Sequence, residues 1–111
     1  MKRILVGNVG DIKKKSARTI WIGRTEIAVF KLSSGEIRAI ENRCPHKGGI
    51  LSEGIVCDHY VFCPMHDWKI DMNNGLVQEP DEGSVKTYAV EVDQSNGELY
   101  LLIENEDVLA S

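Results

Sequence analysis

Two short segments that each pair a cysteine with a histidine constrain this chain most. They are Cys44-Pro45-His46 and Cys63-Pro64-Met65-His66, so the pattern is C-x-H, sixteen residues, then C-x-x-H. Structural zinc fingers keep their two cysteines in one knuckle and carry their histidines on a helix. Here each segment supplies one thiolate and one imidazole, which suits two loops that approach a metal centre from opposite sides. A zinc site, or a set of unrelated buried residues, is the alternative interpretation.

The rest of the chain has the signals of an all-β protein. Turn residues recur at short intervals between apolar or alternating segments, which is typical of strands joined by hairpins. No stretch has sustained helical periodicity, apart from a predicted helical turn at Glu104 to Leu109. The predicted strands are Arg3 to Val6, Thr19 to Ile22, Thr25 to Leu32, Glu36 to Ile40, Tyr60 to Cys63, Trp68 to Met72, Thr87 to Val92 and Glu98 to Ile103.

Length and composition exclude several classes of protein. The 111 residues fit one domain, 1–111, and no apolar run approaches the roughly 20 residues of a membrane span. The apolar run after Lys2-Arg3 ends at Gly7, too short for a signal peptide, so we expect a cytoplasmic protein. A net charge of −4 without a basic stripe argues against nucleic acid as a partner. Three cysteines without an export signal favour metal or redox chemistry over disulfides.

The mixed ligand pairs match the ligand set of one Rieske-type 2Fe-2S cluster, in which two thiolates hold one iron and two imidazoles hold the other. Replacing two thiolates with neutral imidazoles changes the formal charge of the oxidised cluster from about −2 to about 0, so an electron is added more easily. Reduction potentials rise accordingly, from roughly −400 mV to between roughly −150 and +300 mV. We therefore predict that the metal- and cofactor-binding residues are Cys44, His46, Cys63 and His66.

The sequence resembles Rieske domains, in particular the small subunits of cytoplasmic NADH-dependent assimilatory nitrite reductases. The resemblance extends from Ile27 to Leu102 and is densest in Glu41 to Gly49, Leu51 to Val56, Tyr60 to Ile70 and Pro80 to Gly83. It implies a Rieske-type β-sandwich with a cluster-binding subdomain inserted at about residues 42–71. Cys44 and Cys63 would hold the inner iron, and His46 and His66 the outer iron.

The same resemblance implies a role in nitrate and nitrite assimilation. The chain would be the electron-transfer subunit of an enzyme that reduces nitrite to ammonium, and sirohaem and flavin would belong to a large partner subunit. We expect no catalytic residue and no substrate site on this chain. The sequence has no nucleotide-binding motif either, so NADH and flavin would bind elsewhere.

Two departures from high-potential Rieske proteins indicate a potential near the lower end of the range. The cytochrome bc-complex type has a disulfide between the two cluster loops, whereas this chain has Gly49 and Met65 at those positions. That type also has a hydroxyl residue shortly after the second histidine, where this chain has Trp68 and Ile70. Fewer hydrogen-bond donors leave more negative charge on the cluster sulfurs.

Several neighbouring residues are predicted to surround the cluster without binding iron. Glycines there let backbone N–H groups approach the sulfides, and Trp68 suits either a core anchor or a shield that keeps the site dry. The predicted set is Lys47, Gly48, Gly49, Met65 and Trp68.

Other polar clusters are assigned simpler roles. Cys57 and His59 are not expected to bind the cluster, because four ligands are present without them, and Cys57 resembles a hairpin turn residue. The acidic run Glu79 to Gly83 is interpreted as a solvated turn, with a docking loop as the alternative. Lys13 to Lys15 is interpreted as a solvated loop.

Two other functions stay open at this stage. One is a freestanding, low-potential Rieske ferredoxin that carries electrons to an oxygenase. The other is a structural zinc module that mediates assembly and has no redox activity.

Overall fold

A computed structural model describes residues 2–45 and 48–104. Across these residues the chain is nearly all-β, with two single-turn 3-10 helices at Val9–Asp11 and Leu51–Glu53. The strands are β1 (Lys2–Asn8), β2 (Ser16–Ile22), β3 (Thr25–Lys31), β4 (Ile37–Glu41), β5 (Ile55–Cys57), β6 (Tyr60–Phe62), β7 (Lys69–Asp71), β8 (Thr87–Val92) and β9 (Glu98–Ile103).

Six strands form one antiparallel sheet in the order β1-β9-β8-β4-β3-β2. The sheet curls, so that side chains of β9 reach those of β3 even though two strands separate them. Leu99 and Leu101 are fully buried against Ile27 and Val29. Alternate residues of the other strands of the large sheet complete this inner core, as expected for a sheet that packs one face on a core.

Strand β3 is buried on both faces. Ile27 and Val29 face the inner core, whereas Ala28 and Phe30 face a second core that lies under the cysteine loops. Phe30 is fully buried, and burying such a side chain contributes roughly 1.5–3 kcal/mol. The core under the cysteine loops therefore packs on the same strand that contributes Ile27 and Val29 to the inner core of the large sheet.

A small sheet of order β5-β6-β7 lies in the chain between β4 and β8. Its inward residues Val56, Val61 and Ile70 are buried in the second core. The turn between β5 and β6 is Asp58-His59, with Asp58 at a φ of 56°. This sheet falls within the predicted cluster-binding subdomain, residues 42–71, whose limits stay a prediction.

The predicted all-β architecture is confirmed. Eight of the nine strands in the described part of the chain were predicted, with bounds that agree for β8 and β9 and differ by one to three residues for the others. Strand β5 was not predicted. Cys57, interpreted as a turn residue, is the last residue of that strand and precedes the turn. The helical turn predicted for Glu104 to Leu109 lies, beyond Glu104, outside the described residues. In ranges 2–45 and 48–104, no helix is both long and apolar enough to span a membrane.

Candidate metal centre

The first cysteine loop connects β4 to the 3-10 helix Leu51–Glu53 and holds Cys44 at its base. The Cys44 N–H donates to the carbonyl of Gly49 (2.8 Å), and the Gly48 N–H donates back to the carbonyl of Cys44 (2.9 Å). Gly48 has a φ of 71°, a conformation that glycine adopts without steric cost. The loop is thus closed on itself, and Cys44 is 1% exposed.

The second cysteine loop connects β6 to β7 and is closed in the same way around Cys63. The Cys63 N–H donates to the carbonyl of Trp68 (2.8 Å), and the Asp67 N–H donates to the carbonyl of Cys63 (3.1 Å). His66 and Asp67 have φ values of 68° and 55°, which turn the chain back towards β7. Cys63 is also 1% exposed.

The two loops therefore share one hydrogen-bond pattern. In each, the cysteine N–H reaches the residue five positions later, and the cysteine carbonyl receives the N–H four positions later. The residue at that fourth position, Gly48 or Asp67, has a positive φ in both loops. The histidines break this equivalence, because His46 lies two residues after its cysteine and His66 three residues after its own.

The loops touch at the cysteines. A β-carbon on Gly49 would lie 2.6 Å from the Cys63 Sγ atom, so Gly49 packs its backbone directly against that sulfur. The Met65 N–H donates to the same Sγ at 3.4 Å. The backbone of Gly49 from the first loop and the N–H of Met65 from the second loop thus both contact the Cys63 sulfur.

The electrostatics of this contact disfavour an uncompensated thiolate at Cys63. Burial raises the pKa of the Cys63 thiol, the Met65 N–H opposes that increase, and the neighbouring Cys44 thiol and Asp67 carboxylate add to it. A buried thiolate needs a compensating positive charge, which a bound iron supplies. All three cysteines are free of disulfides.

His66 is exposed at the tip of the second loop, next to the exposed side chains of Pro64 and Met65. His46 and Lys47, predicted for the first loop, lie outside the described residues. In the described part, no group of three or more His, Cys, Asp or Glu side chains is arranged around one metal ion. A Rieske cluster requires only two protein ligands per iron. The residue types fit that ligand set, with Cys44 and Cys63 buried and His66 exposed in the second loop.

Asn42 fixes the entry to the first loop and was not singled out from the sequence. Its side chain is 5% exposed, and its Nδ2 donates to Glu26 Oε1 (3.1 Å) and Ser52 Oγ (3.0 Å). Its Oδ1 accepts the Ser52 N–H at 2.7 Å. Asn42 thus joins β3 to both ends of the loop. The sequence signal, an asparagine two residues before Cys44, is too common to identify such a brace.

Trp68 is the remaining predicted neighbour, and one contact that was not predicted adjoins the first loop. Trp68 is half-buried and packs against the second core, as a core anchor does. Next to the first loop, a β-carbon on Gly83 would lie 3.2 Å from Pro45 Cγ, so the acidic run adjoins the first cysteine loop. The sequence places these residues far apart and gave no sign of that contact.

Cys57 and His59 lie on the hairpin of the small sheet and not in the cysteine loops. Cys57 is exposed at the end of β5. His59 lies between two carboxylates, with its Nδ1 3.5 Å from Asp58 Oδ2 and its Nε2 3.6 Å from Asp71 Oδ2. These contacts account for His59 as part of the hairpin.

Comparison with known proteins identifies the fold and the cofactor class. The family model described as the Rieske [2Fe-2S] domain matches residues 2–89. A human protein named Rieske domain-containing protein is 32% identical over 122 residues, covering 93% of this chain and 76% of that protein. This chain spans 12% to 26% of the length of other curated relatives, which are a sterol monooxygenase and ketosteroid monooxygenase oxygenase components.

Solved structures of similar size have the same fold. The ferredoxin of carbazole 1,9a-dioxygenase from Nocardioides aromaticivorans IC177 superposes with a TM-score of 0.83 at 21% identity, covering 94% of this chain and 100% of the ferredoxin. A Mycobacterium tuberculosis protein, provisionally named the small subunit of an NADH-dependent nitrite reductase, superposes with a TM-score of 0.81 at 18% identity, covering 94% and 99%.

Proposed function

Since this chain belongs to the Rieske [2Fe-2S] family, whose members are components of oxidoreductases, we propose that it is the electron-transfer subunit of an NADH-dependent nitrite reductase. It carries one Rieske-type cluster. Its partner in this proposal is a large subunit that holds sirohaem and flavin and reduces nitrite to ammonium in the cytoplasm.

Four residues are proposed as the cluster ligands. Cys44 and Cys63 are assigned to the inner iron, because their sulfurs adjoin each other in the buried space between the loops. His66, which is exposed in the second loop, is assigned to the outer iron together with His46. The single domain of residues 1–111, with the cluster subdomain at 42–71, belongs to the same proposal.

The bound cluster supplies a site that accepts and releases one electron. The chain's own residues hold that site in place and keep water from its inner side. The closed backbone of each cysteine loop fixes the cysteine carbonyls and amides, and the Met65 N–H donates to Cys63 Sγ. Trp68 and the second core cover the buried side. The exposed position of His66 leaves the opposite side open to a partner, which is where we propose that electrons pass.

One observation carries the choice of nitrite reductase. The acidic phrase Pro80 to Gly83, part of the resemblance to the nitrite reductase small subunits, packs through Gly83 against Pro45 of the first cysteine loop. A segment that borders the electron-transfer site is well placed to contact the partner. The similar size and fold of the Mycobacterium tuberculosis protein agree with this assignment.

The second candidate is a freestanding Rieske ferredoxin that serves an oxygenase. It is favoured by the carbazole dioxygenase ferredoxin, all of whose length superposes on this chain. In another solved structure, the carbazole 1,9a-dioxygenase ferredoxin is bound to its oxygenase. Both candidates use the same cluster ligands and differ in the partner.

The test is affinity purification from the native lysate under anaerobic conditions, with the retained large chain examined by its visible spectrum and by NADH-dependent nitrite consumption. A sirohaem spectrum with nitrite consumption supports the nitrite reductase proposal. A protein that is retained alone, or with an oxygenase or its reductase, contradicts it and favours the ferredoxin. A colourless chain that binds zinc would contradict both.

A further inference from the structure

We propose that a cleft beside the first cysteine loop is the docking site for an acidic segment of the protein that exchanges electrons with this chain. The exposed residues of this Trp21 cleft are Trp21, Arg24, Arg43 and Ile50, and its volume is about 300 Å³. The inference rests on the proposed electron-transfer function and assigns the chemistry of the partner contact.

The cleft combines two parts of the chain that are distant in sequence. Trp21 and Arg24 lie on the hairpin between β2 and β3, whereas Arg43 and Ile50 flank the first cysteine loop. The Arg43 guanidinium lies over Gly48, whose β-carbon would be 3.2 Å from Arg43 Nε. A segment bound here would touch the backbone next to Cys44.

The apolar part of the cleft is unusually accessible. Trp21 is 63% exposed and Ile50 is 45% exposed, although large apolar side chains of this fold are mostly buried. Tryptophan and arginine are the residues most enriched among those that dominate binding energy at protein interfaces. Trp21 between two arginines has the composition of such a site.

The charges select an acidic occupant. In the part of the chain that the structure describes, neither the Arg24 nor the Arg43 guanidinium forms an ion pair or a hydrogen bond with another side chain. The two glutamates of the cleft already accept hydrogen bonds, Glu26 from Asn42 and Glu41 from the Lys86 N–H. The guanidiniums are therefore the groups available to a partner's carboxylates, which arginine binds with paired hydrogen bonds.

A protein segment fits this cleft better than a small phosphorylated ligand. Small-ligand sites bury most of their ligand in a concave apolar pocket, whereas Trp21 lies open at the surface. The carboxylates of Glu26 and Glu41 can accept hydrogen bonds from the backbone N–H groups of a peptide, which are donors that a phosphate group lacks. A peptide with acidic side chains around one aromatic residue can pair with the two arginines, pack against Trp21 and donate backbone hydrogen bonds to the two glutamates.

The first test titrates the oxidised holoprotein with two synthetic peptides and follows the Trp21 indole N–H signal by NMR. The peptides are acetyl-Glu-Asp-Phe-Asp-Glu-amide and acetyl-Lys-Lys-Phe-Lys-Lys-amide, and Trp21→Phe identifies the signal. We expect the acidic peptide to shift it and Arg24→Glu to weaken binding about tenfold or more. The variant should then respond to the basic peptide instead.

Lys14→Glu is the matched control, because Lys14 is exposed just before the other end of β2 and undergoes the same change of charge. It should bind the acidic peptide like the parent protein. An unmoved Trp21 signal, an equal response to both peptides, or tighter binding of ATP than of the acidic peptide would each overturn the inference.

The second test uses the large chain retained in the affinity purification. Arg24→Glu should lower the affinity of the holoprotein for this large chain about tenfold and leave the visible spectrum of the cluster unchanged. Lys14→Glu should change neither. Unchanged affinity for Arg24→Glu contradicts the inference. Neither test uses nitrite, so a failed nitrite assay leaves the docking result interpretable, and a failed docking test leaves the nitrite reductase proposal standing.

Discussion

The backbone of Gly49 lies directly against the sulfur of Cys63, so that the first cysteine loop closes onto the ligand atom of the second. A β-carbon at position 49 would be 2.6 Å from that sulfur, a distance that real β-carbons do not adopt. In Rieske proteins of the cytochrome bc-complex type, a cysteine of the disulfide between the loops occupies this position. In this chain the close approach of bare backbone takes the place of a covalent link between the loops.

Gly49→Ala should therefore prevent normal cluster binding, because one of the two loops must move away from the sulfur. Overpacking of this kind costs typically about 1–3 kcal/mol, and here the displaced group is a proposed ligand. We expect iron content and visible absorption to fall to a small fraction of the parent values. Gly10→Ala is the control, since Gly10 also lacks a positive φ and lies far from the cysteine loops. Full iron content in Gly49→Ala would refute the expectation.

Asn42→Ala should destabilise the protein, because the Ser52 N–H loses its acceptor. The Glu26 carboxylate and the Ser52 hydroxyl each lose a donor as well. An unsatisfied buried group costs about 1–3 kcal/mol. A loss of 1 kcal/mol lowers Tm by roughly 4–8 °C in a domain near this size. Thermal unfolding of the holoprotein, followed by circular dichroism, measures the change. Gln94→Ala removes an exposed amide of similar chemistry and should leave Tm nearly unchanged.

His66 is predicted to be a cluster ligand, whereas His59 is not. His66→Asn should lose the characteristic reduced-state EPR spectrum while the far-UV circular dichroism of the β-scaffold persists. Asparagine is the informative substitution, because it tolerates the positive φ of 68° at this position and so separates loss of the imidazole from backbone strain. His59→Asn is the matched control. An unchanged EPR spectrum in His66→Asn would remove His66 from the ligand set.

Cys63 and Cys57 should respond differently to substitution. Cys63→Ser should bleach the visible spectrum, because the buried sulfur between the loops is a proposed iron ligand. Cys57→Ser should leave spectrum and iron content unchanged, since Cys57 is exposed at the end of β5. Bleaching in Cys57→Ser would show that the ligand assignment is wrong.

Much of the fold is predictable because alternating side chains and turn residues mark most strands within their own segments. β8 and β9 coincide with the predicted ranges, since alternating side chains end at a turn that contains Gly97. β5 was missed because its last residue stands directly before Asp58, in a segment interpreted as a turn. The cysteine before Asp58 resembled a turn residue, and only the pairing of Cys57 with Tyr60 identifies it as strand.

Long-range relationships were not predictable in the same way. The residue types and the spacing of the cysteines and histidines predict the cofactor. The shared hydrogen-bond pattern of the loops involves backbone atoms, which every residue type possesses. The Asn42 brace, the Gly83–Pro45 contact and the Trp21 cleft each join segments whose proximity depends on strand order.

The closed backbone of the cysteine loops has a consequence for how the metalloprotein is assembled. The hydrogen bonds of Cys44 with Gly48 and Gly49, and of Cys63 with Asp67 and Trp68, require no iron. We therefore expect both loops to keep much of their backbone structure without iron, so that little chain entropy is lost when the cluster binds. Zinc fingers follow the reverse order, because they gain their fold from the metal. In this chain we expect the β-sheets to fold first and the cluster to be inserted into the folded protein.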